Sequence, residues 1–209
     1  MTHPIPFCRL GLIGGLALLA LHPLTGMAQA DYPSKPITIV VGYPPGGSTD
    51  LTGRTVAAEL SKKLGVPVVI ENVGGAGGAI GAQKVANAAP DGYTLLVGAN
   101  NEIAISRLVS SAVKYQVRDF TPIGLIASQP MVLVASAKSG VKNIDQFMSQ
   151  VKASPGKFSY GSSGVGTALH LAGEMVKDQG GLFMTHIPYR GVEPLANDLL
   201  GNNNEFGVF

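Results

Sequence analysis

The chain has one cysteine, Cys8, no tryptophan, and a charged fraction of only 13%. Cys8 precedes an apolar run close to the N-terminus, so a chain trimmed after that run carries no thiol. That excludes disulfides, cysteine nucleophiles and thiolate metal sites together. The cysteine also lies too early to serve as a lipoprotein attachment site. Lys and Arg number 15 against 13 Asp and Glu, a formal charge of +2. Both signs are interspersed, which points away from nucleic acid and anionic membrane surfaces as partners.

The signatures of several enzyme classes are missing as well. No GxxxxGK[ST] occurs, since the only Gly-Lys pair, Gly156-Lys157, is followed by Phe158. The glycines at 74, 75, 77, 78 and 81 miss the GxGxxG register, because Ile80 stands where the third glycine is needed. Ser162 and Ser163 lie outside any GxSxG elbow. His170 and Glu174 are four apart on a predicted helix, but two candidate ligands do not make a metal site and no HExxH is present. The expectation is a non-enzyme with no catalytic residues, no metal and no cofactor.

What is present begins with the N-terminus. Arg9 precedes an uncharged apolar stretch, Leu10 to Leu21, then a helix-breaking segment and the small-x-small triplet Ala28-Gln29-Ala30. This reads as a secretory signal peptide over residues 1–30. The apolar run is shorter than the roughly 20 residues a bilayer requires. The mature chain then starts near Asp31, and removal of Arg9 brings its charge to about +1. An oxidising space suits an exported chain without thiols.

From there, short apolar runs alternate with helical patterns. Ile37–Val41 is β-branched on both faces, as a buried parallel strand is. A helix is predicted from about Asp50 to Leu64, with Val56, Leu60 and Leu64 on one stripe and Gly65 at its end. Residues 67–70 and 94–97 read as further strands, and Ala79 to Ala88 as a helix between them. This βαβ rhythm predicts a parallel sheet. It loosens between residues 99 and 122, the expected crossing into a second lobe. The first lobe is therefore assigned residues 31–101 and the second 102–209. In the second lobe, strands are predicted at Ile123–Ile126, Met131–Ala135, Phe158–Tyr160 and Thr185–Pro188. Helices are predicted at Ile144–Ala153, Thr167–Asp178 and Pro194–Leu200. Asn143 and Gln146 form a capping box before the first of these helices.

Three glycine-rich loops occupy one position in the pattern, between a strand and a helix start: Tyr43–Asp50, Val73–Gly78 and Gly161–Thr167. In an open α/β sheet that is the carboxyl edge, where ligands bind. Glycine lets backbone N–H groups approach a ligand, and a helix N-terminus adds unpaired donors. The same residues also serve as ordinary turns and caps, with Asp50 and Thr167 as N-caps. Tyr189-Arg190-Gly191 lies at a further junction. There the guanidinium either closes on a carboxylate or is a solvated surface arginine.

Tyr32-Pro33-Ser34-Lys35-Pro36-Ile37, Tyr43-Pro44-Pro45-Gly46-Gly47, Glu71-Asn72-Val73-Gly74-Gly75-Ala76-Gly77-Gly78 and Pro90-Asp91-Gly92-Tyr93-Thr94-Leu95 occur in one order. So do Pro155-Gly156-Lys157, Tyr160-Gly161-Ser162, His170-Leu171-Ala172-Gly173-Glu174 and Pro188-Tyr189-Arg190-Gly191. Across nearly all of the mature chain, this set resembles the Bug family, substrate-binding receptors of tripartite tricarboxylate transporters. The resemblance implies an α/β fold: a two-lobed periplasmic binding protein of the hinged, type II kind. It also implies capture of a small carboxylate (a di- or tricarboxylate, an amino acid or an aromatic acid) for delivery to a membrane permease.

By the same resemblance, ligand contacts fall on Tyr43, Pro44, Gly46, Gly47, Ser48, Asp50, Gly75, Gly77, Gly78 and Ala79 in the first lobe. The second lobe contributes Ser162, Ser163, Thr167, His170 and Tyr189. Tyr43 stands where many relatives have Phe. Relatives also continue past the point matching Phe209 and return to the first lobe, so that lobe is expected to be truncated here. Residues 201–205 depart from the family pattern. A hinged receptor is expected to act as a monomer. The alternatives are a periplasmic sensor subunit signalling to a membrane kinase, and an exported hydrolase using Ser162 or Ser163 with His170.

Overall fold

The computed structural model describes residues 31–209; the predicted signal peptide lies outside them. Among the described residues no helix is long and apolar enough to cross a membrane.

Two sheets organise the chain. The first is parallel, in the order β2 (Val68–Asn72), β1 (Ile37–Val41), β3 (Thr94–Val97). β1 is central because both its faces are apolar, and four of its five residues are buried. Ile39 and Val41 pack with Ala57 of α1 (Ser48–Leu64), with Val97 and with Tyr43 on one face. Ala79 and Ala82 of α2 (Ala79–Ala86) pack with Tyr115, Val113 and Phe120 in a separate cluster that also takes in Leu96. Residues 113–120 therefore lie on the helix of the first sheet. Of the predicted α1 stripe, Leu60 reaches the core cluster, while the fully buried positions of that helix are Asp50, Gly53 and Ala57.

The irregular stretch foreseen after β3 becomes a wide turn at Asn101–Ile105 followed by the one-turn α3 (Ser106–Val109). The predicted strand at Ile123–Ile126 does not form. Residues 121–130 are all exposed, with Ile123 and Leu125 more than 80% accessible. Among the described residues no neighbouring strand is there to receive their backbone groups, and an unpartnered apolar run has nothing to hold it extended. Pairing begins only at Val132, whose backbone exchanges hydrogen bonds with Phe209, so the predicted strand at Met131–Ala135 is reduced to β4 (Leu133–Ala135).

The second sheet runs β4, β7 (Phe206–Val208), β5 (Ser159–Ser162), β6 (Thr185–Pro188). Its β5–β6 and β5–β7 pairs are parallel, but β4 pairs with β7 antiparallel, so this sheet is mixed. β7 went unforeseen, yet it supplies Phe206, fully buried and edge-on to Phe147 at 4.9 Å between ring centroids. Phe147 and Val151 come from α4 (Ile144–Ala153), and Leu169, Ala172 and Val176 from α5 (Ala168–Gly180). Leu195 and Leu199 of α6 (Val192–Leu200) are buried against Gly161 and Gly207 of the sheet. The polar run 201–205 forms the entry to β7. There Asn204 and Glu205 both accept the Ser159 hydroxyl at 2.7 Å. Asn143 caps α4 as expected, accepting the Gln146 N–H at 2.9 Å. The reciprocal bond is displaced by one residue, because the Gln146 amide accepts from Lys142 rather than from Asn143.

Candidate functional site

The loop after β1 enters α1 through Gly47, which occupies the N-cap and offers no side-chain acceptor to the first helical N–H groups. Asp50, predicted as the N-cap, lies in the first turn instead. Its Oδ2 accepts from Gly46 N–H and from Arg54 Nε, each at 2.9 Å, and its Oδ1 accepts from Asn72 Nδ2 at 2.8 Å. The bond from Arg54, helped by Gly46 and Asn72, outweighs burial and holds this carboxyl at about pKa 2. Asp50 is thus a brace for the loop, buried beneath it.

The second glycine loop has positive φ at four successive residues: Gly75 (129°), Ala76 (50°), Gly77 (62°) and Gly78 (93°). For Ala76 the left-handed conformation costs of order 1 kcal/mol. Left-handed turns of this kind gather backbone N–H groups into a concavity suited to an anion. Any Cβ at Gly78 would collide with the Glu102 side chain.

Glu102 is the least expected residue of the site. It is fully buried, and among the described residues no cationic group acts on it. Its Oε2 accepts from Ala99 N–H at 3.1 Å and from the Tyr43 hydroxyl at 3.2 Å, while Oε1 has no hydrogen-bond partner. Burial pushes the carboxyl up to about pKa 7 against the pull of those donors. Burial and the Glu102 charge likewise raise the Tyr43 phenol. Asn101 closes the network. Its Nδ2 donates to the Tyr43 hydroxyl at 2.6 Å and its Oδ1 accepts from Ala168 N–H at 2.7 Å. One amide therefore ties the loop after β1 to the start of α5 in the second sheet.

In the third loop Thr167 caps α5 as expected, accepting the His170 N–H at 3.3 Å, and its hydroxyl donates to Gly164 O at 2.8 Å. His170 points away from the cleft: Nδ1 accepts Gly166 N–H at 3.1 Å and the ring stacks on His186 at 4.1 Å. His186 Nε2 lies 2.8 Å from Ser162 Oγ. Burial, then the neighbouring His170, depress His186 to about pKa 4. Ser162 is wholly buried, and Ser163 bonds to Thr167 at 3.3 Å rather than to a histidine. The serine–His170 pairing that a hydrolase needs is not formed. Among the described residues no group of three or more His, Cys, Asp or Glu side chains is placed to hold a metal.

Two cavities lie where the loops meet. The larger, about 600 Å³, is lined by Tyr43, Gly47, Ser48, Asn101, Ser163 and Glu193, with residues 124–131 along its open side. The smaller, about 230 Å³, is lined by Tyr43, Gly75, Gly77, Gly78, Ser163, Tyr189 and Arg190. Tyr43 and Ser163 belong to both. Eight predicted contacts therefore face a cavity: Tyr43, Gly47, Ser48, Gly75, Gly77, Gly78, Ser163 and Tyr189. Pro44, Gly46, Asp50, Ala79, Ser162, Thr167 and His170 sit behind them and line neither. Sequence reasoning missed Asn101, Glu102 and Glu193, none of which falls in a glycine-rich motif. Arg190, left open between two readings, lines the smaller cavity and makes no ion pair among the described residues.

Residues 52–208 match the tripartite tricarboxylate transporter family receptor, TctC. The chain belongs to this family. It is 38% identical over 194 residues to the UPF0065 protein in the tcbD-tcbE intergenic region of Pseudomonas sp. (strain P51), spanning 92% of this chain and 57% of that protein. BugT of Bordetella pertussis is 38% identical, spanning 88% and 57%. Among solved structures, Rhodopseudomonas palustris Rpa4515 with adipate superposes with a TM-score of 0.82 at 34% identity, over 84% of this chain and 59% of that one. MatC from the same organism, with bound malate, gives 0.77 at 31%, over 84% and 60%. The α/β architecture of this TctC chain is thus that of the periplasmic binding proteins, and the chain spans less than two thirds of the length of the relatives it matches.

Proposed function

We propose that this TctC chain is the capture portion of an exported receptor that closes on a small carboxylate in the periplasm and presents it, as a monomer, to a tripartite transporter. The observation that carries this reading is the convergence of the left-handed Gly75–Gly78 loop, the uncapped start of α1 and Ser163 on cavities of ligand size. Backbone and hydroxyl donors of this kind hold a carboxylate without a metal or a catalytic group. The carboxylates named for relatives, adipate and malate, fit the same chemistry.

Isothermal titration of the mature chain with adipate, malate, amino acids and aromatic acids tests it. Saturable binding of at least one acid, weakened by Ser163→Ala, is expected. No heat and no thermal stabilisation across the panel would overturn the reading.

A further inference from the structure

Each cavity holds one charged side chain, and the two are opposite in sign. The smaller has Arg190, beside the glycine loop and Tyr189. The larger has Glu193; every other lining residue there is apolar, a hydroxyl or an amide. Glu193 follows Val192 at the start of α6, and its side chain reaches the loop after β1. Its carboxylate presses against that loop so closely that a methyl at Gly47 would fall on Oε1. Both carboxylate oxygens are buried and neither has a hydrogen-bond partner. Burial, and then the charge of Asp50, raise its pKa. A buried carboxylate left unpaired is costly, and a cation that reaches it recovers that cost. A second carboxylate on a ligand would meet it as a like charge in a poorly solvated site.

We propose that Glu193 is the subsite for a protonated amine, so that the captured solute is a small zwitterion: its carboxylate lies in the Arg190 compartment and its ammonium lies against Glu193. Tyr43 and Ser163 line both compartments, so the two subsites adjoin at these side chains. This rests on the carboxylate-capture reading above and names the ligand class within it.

The test is a matched-length comparison by isothermal titration. 6-Aminohexanoate is set against adipate and 4-aminobutyrate against succinate, with L-glutamate as a branched case, on wild type, Glu193→Gln and Glu193→Asp. Wild type is expected to favour an amine-bearing acid over the dicarboxylate of equal length by about tenfold or more, the scale of one charge-assisted contact. Glu193→Gln removes that preference, and Glu193→Asp, which keeps the charge, retains most of it. Thermal melts of each variant establish that it is folded. A wild type that prefers the dicarboxylate, or a preference unchanged in Glu193→Gln, would overturn the amine subsite while leaving carboxylate capture standing. Absence of binding by both series would overturn the two together.

Discussion

The buried Glu102 carboxyl makes stability depend on pH in a direction opposite to that of most acids. An exposed glutamate titrates near 4.5, and here the folded state holds its proton to about pH 7. Below pH 4.5 the group is neutral in both folded and unfolded chains and contributes no difference. As pH rises from there, the unfolded chain releases the proton while the folded chain keeps it, so stability falls with each unit until about pH 7 and then levels off. A shift of that size corresponds to about 3 kcal/mol at full ionisation. For a domain of this length that is about 6–12 °C in Tm. Glu102→Gln keeps the shape and the acceptor for Tyr43 and Ala99 but cannot ionise. Thermal melts of wild type and variant at pH 5 and pH 8.5 measure the effect. The Tm difference, variant minus wild type, should rise by about 6–12 °C between the two pH values. Other titrating groups, Glu193 and His186 included, cancel because they are common to both proteins. A difference that stays constant across pH would refute the claim that Glu102 is buried without a compensating charge.

Two further outcomes follow from the packing and the loop brace. Phe206→Ala should lower stability by about 3–5 kcal/mol, read as a drop in the urea midpoint at unchanged slope, because it empties the middle of the second core. Asp50→Asn should cost about 2 kcal/mol at pH 7 by breaking the bond from Arg54. The Asp50 carboxyl is depressed in the folded state, so its contribution is full above the ordinary aspartate value of 3.8 and is lost as pH falls toward 2. Urea midpoints at pH 7 and pH 3 should therefore show the gap between Asp50→Asn and wild type narrowing in acid.

The elements that were legible in the sequence are those whose signal is local. Ile37–Val41 declares itself as a buried strand because every residue is apolar or β-branched, and α4 declares its start through Asn143. β7 had no such signal: three residues, Phe206-Gly207-Val208, carry no period, and only the tertiary slot between β4 and β5 makes them a strand. Ile123–Ile126 fails for the converse reason. Its composition is that of a strand, but a strand is a pair, and the described residues offer it no partner. Asp50 shows the same limit at a helix start: residue type placed a cap there, but Gly47 holds the cap position and the carboxylate reaches back from inside the first turn.

The site divides along the same line. The glycine loops were readable because a strand-to-helix junction and a glycine run are both local facts, and they supplied seven of the eight predicted residues that face a cavity. The charged groups that give the cleft its chemical character were not readable, because nothing in sequence separates a glutamate in water from one whose oxygens are withdrawn from it. Glu102 and Glu193 stand in unremarkable contexts, Asn-Glu-Ile and Val-Glu-Pro. Only the folded chain shows that the oxygens of Glu193 have no donor and that one oxygen of Glu102 has none. Their surroundings then separate their roles. Glu102 is sealed beneath the loops, among Tyr43, Ala99 and the Gly78 backbone, and lines neither cavity; a proton is the only cation it can take up. Glu193 forms part of a cavity wall, so a ligand can bring it the charge it lacks. Two carboxylates with the same deficit therefore answer to different variables, pH for the first and solute for the second. A Glu102→Gln variant that leaves the amine preference intact, beside a Glu193→Gln variant that abolishes it, would separate those roles in one titration series.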